Sequence, residues 1–331
     1  MPKRIAIIGD GQMGLVLADA LVHRGYPTRM WGPFPDVVTH LARTRENPGR
    51  MPGFTLKKAV LVTADAAEAM QDAELAINAI PTQFIGAVWE QVAPHLPAGC
   101  PIISVAKGIE NGTLRRPSEV LHDATTSAGP VCSLSGPTIA TELAAHRPAV
   151  MVAAAEDASL ARAVQQAFDV PWLRIYTGTD LIGVELAGAC KNVIALAAGM
   201  CDGLELGDNA KSAVLARGLA EITRLGLAMG ARESTFYGIA GVGDLATTCF
   251  SPHGRNRSCG EALGRGTPLA EYQARCDSVV EGVATTLSVM ELASRHGVEM
   301  PITASVHAVL FEGLSPEEGV RQLMSRQSGS E

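Results

Sequence analysis

Six residues, Gly9-Asp10-Gly11-Gln12-Met13-Gly14, constrain this chain more than any other stretch. They follow an apolar, β-branched run at residues 4–8. They open a segment, residues 15–24, in which Leu15, Leu17, Ala18, Leu21 and Val22 have helical apolar spacing. A G-x-G-x-x-G string between a strand and a helix is the context that a dinucleotide-binding turn requires. Gly9 permits the tight turn, Gly11 leaves the backbone bare for a pyrophosphate, and Gly14 lets helix and strand pack closely. The helix start then offers free N–H groups and a positive dipole end to the phosphates.

The rest of the first half repeats that alternation. Strand-like runs are predicted at residues 28–31, 59–63, 75–79, 102–106 and 131–134, with a further pair at 149–155 and 173–176. Helical stretches lie between them, at residues 37–43, 66–70, 84–95 and 158–168. This is the pattern of an open parallel sheet with helices on both faces. After Gly178 the pattern changes to helices alone, at residues 181–201, 210–229, 282–296, 302–311 and 316–324. The expectation is an α/β chain: a Rossmann-type doubly wound domain over residues 1–178, then an all-helical substrate and catalytic domain over residues 179–331. A length of 331 residues suits two domains of about 150 residues each.

Composition narrows the function classes. Apolar residues make up 47% and net charge is only −7, which excludes intrinsic disorder. The acidic balance argues against a nucleic-acid partner, and 4% aromatics is too few for base-stacking platforms. Seven scattered cysteines form no C-x-x-C pair and no zinc-type spacing, so no metal site is expected and the thiols read as reduced. The apolar run near the N-terminus stops at Gly9 with no cleavage site after it, so no signal peptide is expected and a cytoplasmic location is. The most apolar region, residues 181–200, contains Glu185, Lys191 and Asn192, which argues against a membrane span.

Several side chains stand where chemistry would need them. Lys107 follows the fifth strand, at the carboxyl edge where ligands of such sheets bind. Lys191 lies in a long apolar helix, one turn from Ala187, Gly188, Ile194 and Ala195. Desolvation there disfavours the charged amine and suits it to proton transfer near neutral pH. Asn192 follows and can orient a substrate or water. The segment GVGDLATTCF, residues 241–250, offers Asp244, Thr247 and Thr248 near a helix start. It leads into a loop with Arg255, Asn256 and Arg257, forked donors suited to a phosphate. After the second strand, Asp36 has two readings: acceptor for a ribose 2′-hydroxyl, or N-cap of its helix. No Lys or Arg stands at that strand end, although Arg29 is near. The choice between NAD and NADP stays open.

At these residues the chain resembles the NAD(P)-dependent glycerol-3-phosphate dehydrogenases of the bacterial soluble type. The matching segments run in order: the glycine turn, TRENP at 44–48, PTQF, VAKGIE around Lys107, LSGPTIATE at 134–142, the block 185–221 around Lys191, GVGDLATTC, GRNR, and VVEG at 279–282. The resemblance implies interconversion of dihydroxyacetone phosphate and sn-glycerol 3-phosphate with NAD or NADP, supplying phospholipid synthesis. It implies that Lys191 is the catalytic acid/base. It places Lys107, Gly136, Thr138, Lys191, Asn192, Asp244, Thr248, Gly254, Arg255 and Asn256 around the substrate. It places Gly9, Gly11, Gln12, Met13, Gly14, Lys107, Ala140, Arg255, Val279 and Glu281 around the cofactor. The chain departs from the family's usual residues at Gln12, Met13, Pro33, Phe34 and Gly254. Rival readings are a reductase of the same layout acting on another 2-hydroxy or keto acid, and a non-catalytic dinucleotide sensor. A homodimer is compatible with the helical half, although no apolar stripe marks an interface.

Overall fold

A computed structural model of the chain describes residues 4–125, 129–276 and 279–327. The chain divides into two compact units. One is Met1–Glu110 with Arg115–Glu185; the other is Asn111–Leu114 with Leu186–Glu331.

The first unit holds an eight-stranded sheet: β1 (Ile5–Ile8), β2 (Thr28–Trp31), β3 (Leu61–Thr63), β4 (Leu75–Asn78), β5 (Ile102–Ser104), β6 (Val131–Ser135), β7 (Ala149–Ala155) and β8 (Leu173–Gly178). Its helices are α1 (Gln12–His23), α2 (Pro35–Thr44), α3 (Ala66–Met70), α4 (Ile85–Val92), α5 (Pro117–Ala124), α6 (Ala140–Ala144) and α7 (Ala158–Ala167). Strand order is β3-β2-β1-β4-β5-β6-β7-β8. All pairings are parallel except β6 with β7, where Leu134 faces Ala153 in an antiparallel register. The expected all-parallel sheet is corrected at that one place: the β6–β7 connection carries α6 but returns the chain in the opposite direction.

Both faces of the sheet are covered, which explains the unbroken apolar strands. Ile5 and Ile7 of β1 join one core, with Leu15, Leu21, Met30 and Ile77. Ala6 and Ile8 join the other, with Trp31, Ile85, Trp89 and Ile102. Strand order reverses between β1 and β4, so the glycine turn that ends β1 sits at the switch point of the sheet. Two local expectations need correction. Helix α2 starts at Pro35 with Phe34 before it, so Asp36 lies in the first turn and is not the N-cap; proline at the first helical position sets that boundary. Helices α5 and α6 lie outside the predicted helical stretches.

Among its described residues the second unit contains no strand. Helix α8 (Leu181–Gly203) starts at the end of the first unit and runs into the second. Then come α9 (Gly207–Ala228), α10 (Glu233–Phe236), a π-turn at Ile239–Gly243, α11 (Asp244–Phe250), α12 (Arg255–Gly264), α13 (Leu269–Arg275), α14 (Glu281–Arg295), α15 (Pro301–Phe311) and α16 (Pro316–Met324). Helix α8 is long and apolar enough to cross a membrane, but 89% of its most apolar window is buried within the protein, the environment of a core helix.

Candidate active site

The glycine turn of the first unit is built as a cradle. Gly9 has φ +121°, and a Cβ there would lie 2.7 Å from the Ala79 carbonyl oxygen. A Cβ on Gly14 would lie 2.1 Å from the Gly9 carbonyl oxygen, so both glycines are demanded by the fold itself. Gly11 differs. Its φ of −76° suits any residue, and a Cβ would meet nothing within 4 Å. Open space beside bare backbone is what an approaching pyrophosphate needs. Gly11 occupies the N-cap position of α1 without a side-chain cap, so the first N–H groups of α1 have no acceptor within the helix. The residues present therefore fit a dinucleotide.

A second segment braces this turn. The Asn47 amide donates to the Asp10 carbonyl oxygen at 3.1 Å, and the Gln12 amide donates to the Arg50 carbonyl oxygen at 2.7 Å. Gln12 and Met13 are half-buried at the helix start. The Asp10 carboxyl is buried, its Oδ2 has no hydrogen-bond partner, and burial pushes its pKa up. Nothing in the periodicity singled out Asp10 or Asn47.

Further along the same sheet edge, Lys107 lies beyond β5 and donates from Nζ to the Gly136 carbonyl oxygen at 3.1 Å. The Thr138 hydroxyl donates to the same oxygen at 3.1 Å. Lys107, Gly136 and Thr138 are thus brought together, with half-buried Ala140 opening α6 just after them. Two buried hydroxyls, Thr82 past β4 and Ser135 at the last residue of β6, have no hydrogen-bond partner among the described residues. Sequence reasoning missed both, because an isolated hydroxyl carries no pattern.

In the second unit Lys191 is buried, with 6% of its surface exposed, so its stem does not carry the amine out to solvent. Nζ donates to the Asp244 carboxylate and, at 2.7 Å, to the Thr248 hydroxyl. That hydroxyl donates in turn to the Asp244 carbonyl oxygen at 2.7 Å. The sequence neighbours suggested an amine alone among apolar groups. Instead a buried carboxylate pairs with it. The π-turn delivers this carboxylate: a Cβ on Gly241 would lie 2.1 Å from the Phe236 carbonyl oxygen, so only glycine permits the wide turn that ends at Asp244.

Asn192, next on α8, belongs to a chain of buried amides. The Gly282 N–H donates to Asn256 Oδ1 at 2.9 Å, and Asn256 Nδ2 donates to Asn192 Oδ1 at 3.0 Å. The last donor, Asn192 Nδ2, is buried without a partner. A buried amide donor left open is a place for a polar ligand.

The expected GRNR loop is the first turn of α12, with Gly254 as an N-cap that supplies no side-chain acceptor. Arg255 is exposed and, among the described residues, forms no ion pair. Arg257 is committed elsewhere, to Asp202 at 2.6 Å and Glu261 at 3.3 Å, and Lys211 takes the other Asp202 oxygen at 2.5 Å. Of the three donors expected for an anion, Arg255 remains exposed at the bare helix start, Asn256 is buried with Nδ2 donating to Asn192, and Arg257 braces the helix. Val279 is 40% exposed, and Glu281 is half-buried at the first residue of α14.

Comparisons with known proteins show the family to which the chain belongs. The model of the NAD-dependent glycerol-3-phosphate dehydrogenase N-terminus matches residues 4–161, and that of the C-terminus matches residues 180–321. A Streptomyces griseus protein named glycerol-3-phosphate dehydrogenase (NAD(P)+) is 44% identical over 331 residues, covering 100% of this chain and 98% of the relative. A Mycobacterium tuberculosis protein of the same name is 44% identical over 328 residues, covering 99% and 98%. The crystal structure of glycerol-3-phosphate dehydrogenase from Coxiella burnetii is 33% identical, with a TM-score of 0.94 over 98% of this chain and 99% of that one.

Proposed function

This chain belongs to the NAD-dependent glycerol-3-phosphate dehydrogenase family, and from that premise we propose that it interconverts dihydroxyacetone phosphate and sn-glycerol 3-phosphate with NAD or NADP. Residues 1–178 serve as the dinucleotide-binding domain and residues 179–331 as the substrate domain. Bound at the glycine turn, the nicotinamide dinucleotide supplies or accepts the hydride. Gly9, Gly11, Gln12, Met13 and Gly14 hold its pyrophosphate end, and Lys107, Ala140, Arg255, Val279 and Glu281 contact the remainder.

The protein's own groups manage charge and the proton. Reduction of a ketone builds negative charge on its oxygen, and an ammonium at that oxygen both stabilises the charge and supplies the proton. Lys191 gives that proton to the carbonyl oxygen of dihydroxyacetone phosphate and takes it back from glycerol 3-phosphate in the other direction. Asp244 and Thr248 hold the ammonium in place before and after transfer, which removes the orientational cost at the moment of reaction. Asn192 Nδ2 donates to the substrate. Arg255, Asn256 and the uncapped start of α12 at Gly254 take the phosphate, because a guanidinium and helix N–H groups suit a dianion. Lys107, with Gly136 and Thr138, adds positive charge for the same anionic substrate.

The observation that carries this reading is the buried Lys191–Asp244–Thr248 cluster. Loss of reduced-nicotinamide absorbance on adding dihydroxyacetone phosphate tests it; no turnover with either NADH or NADPH would reject it. The product serves phospholipid synthesis, and the protein works in the cytoplasm as a monomer or homodimer.

A further inference from the structure

The fingerprint of dinucleotide-binding turns includes an acidic residue about 20 residues past the glycines, whose carboxylate takes the adenosine 2′-hydroxyl. Here that place, just after β2, is Gly32, which has no side chain, followed by Pro33, Phe34 and Pro35. The space is nevertheless filled by a carboxylate. An ideal Cβ on Gly32 would lie 2.7 Å from Asp10 Oδ2 and 2.8 Å from its Cγ, with Val38 Cγ2 also at 2.7 Å. Asp10 thus reaches from the glycine turn into the volume that the usual acidic side chain would occupy. Its Oδ2 is buried and has no hydrogen-bond partner among the described residues, which is costly for a carboxylate oxygen unless a ligand donor completes it.

Resting on the dinucleotide binding proposed above, we propose that Asp10 is the acceptor for the adenosine ribose hydroxyl, relocated from the end of β2 into the glycine turn. It makes the protein selective for NAD(H) over NADP(H). A 2′-phosphate at this spot would set its negative charge against the carboxylate. The strand end offers no cation to offset that. Arg29 of β2 spends its guanidinium on the Glu68 carbonyl oxygen and on Gln71 Oε1 at 3.2 Å, and residues 33–36 are Pro, Phe, Pro and Asp. Arg50 is close enough for its charge to favour the Asp10 carboxylate, and burial outweighs it. Asn47 and Gln12 hold the surrounding backbone, so the carboxylate is pre-positioned.

The test is equilibrium binding, followed by the fluorescence of the reduced nicotinamide. Three nucleotides are titrated into the wild-type protein: NADH, NADPH, and NADH lacking the adenosine 2′-hydroxyl. NADH should bind about tenfold or more tighter than either of the others, the usual weight of a charge-assisted hydrogen bond. Asp10→Ala and Asp10→Asn should weaken NADH to the level of the 2′-deoxy nucleotide while leaving the 2′-deoxy nucleotide's own affinity unchanged. Equal affinity of the wild type for NADH and its 2′-deoxy form, or tighter NADPH binding, would overturn the assignment. So would losses of equal size for all three nucleotides in the variants. The wild-type comparison needs no variant to fold. Failure of the wild type to bind any of the three would overturn the dehydrogenase reading as well, which separates the two failures.

Discussion

Replacement of Gly260 by alanine is the sharpest test of how the second unit holds its chemistry. Helices α8 and α12 touch backbone to backbone through four glycines, Gly199 and Gly203 on one and Gly260 and Gly264 on the other. A Cβ on Gly260 would lie 2.0 Å from the Leu196 carbonyl oxygen and 2.8 Å from its carbon. Reciprocally, a Cβ on Gly199 would lie 2.0 Å from the Arg257 carbonyl oxygen. Backbone cannot swing aside as a side chain can. Ordinary contact needs about 3.4 Å, so the helices must separate by roughly 1.4 Å. Overpacking of this kind costs about 1–3 kcal/mol, offset by up to ~1 kcal/mol of helix propensity gained over glycine. The functional effect should be larger. Arg255 and Asn256 start α12, while Lys191 and Asn192 lie on α8, joined by the 3.0 Å Asn256–Asn192 bond. A displacement of ~1 Å at a reacting centre can cost about 10²-fold in rate. The melting temperature of Gly260→Ala should therefore fall by about 1–3 °C, since unfolding 331 residues carries an entropy of about 0.7 kcal/mol/K. Its kcat/KM for dihydroxyacetone phosphate should fall far more than its affinity for NADH. An unchanged melting temperature would refute the backbone contact. A lower melting temperature with intact kcat/KM would refute the link from that contact to the site.

Four further outcomes are expected. Lys191→Ala should abolish turnover and leave nucleotide affinity within about twofold of wild type, because the removed group handles the proton and not the dinucleotide; measurable turnover would reject the proton donor. Arg255→Ala should raise KM for dihydroxyacetone phosphate by about tenfold or more, and should change reduction of unphosphorylated dihydroxyacetone little; equal effects on both substrates would reject the clamp. The thiols offer a pH test. Burial raises Cys100, Cys132, Cys190, Cys249 and Cys259 from 9.0 to about 12. Their folded-state pKa values lie above the unfolded ones, so the stability they contribute is complete below pH 9 and is lost as pH rises toward 12. The slope is about 1.4 kcal/mol per pH unit for each such thiol. A flat stability between pH 9 and 11 in urea titrations would contradict it. At neutral pH a disulfide reagent should label half-buried Cys276 well before the six buried cysteines.

Much of the fold was legible because its signals are local. Every predicted strand occurs within two residues of its expected bounds, since buried parallel strands read as short apolar runs between turns. The glycine turn announced itself through residue types that only a tight, close-packed turn demands. Lys191 was legible as an anomaly, a charge inside an apolar helix. What stayed hidden were partners distant in the chain. Asp244 stands 53 residues from Lys191, and Asn256 stands 64 from Asn192. No periodicity links such positions. Nor could residue type alone tell Arg255 from Arg257, the latter being captured by Asp202 and Glu261.

The order of residues by itself determined the alternation of strands and helices, the change to helices alone, and the types of side chain available for chemistry. These follow from chain stiffness, apolar spacing and the conformational demands of glycine and proline, all of which act over a few residues. Tertiary structure alone decided which groups meet: the carboxylate against the buried amine, the amide relay ending in an open donor, and Asp10 standing in the space beside Gly32. Those pairings depend on packing geometry at the scale of a hydrogen bond, and only the folded backbone sets distances that small between residues so far apart in the chain.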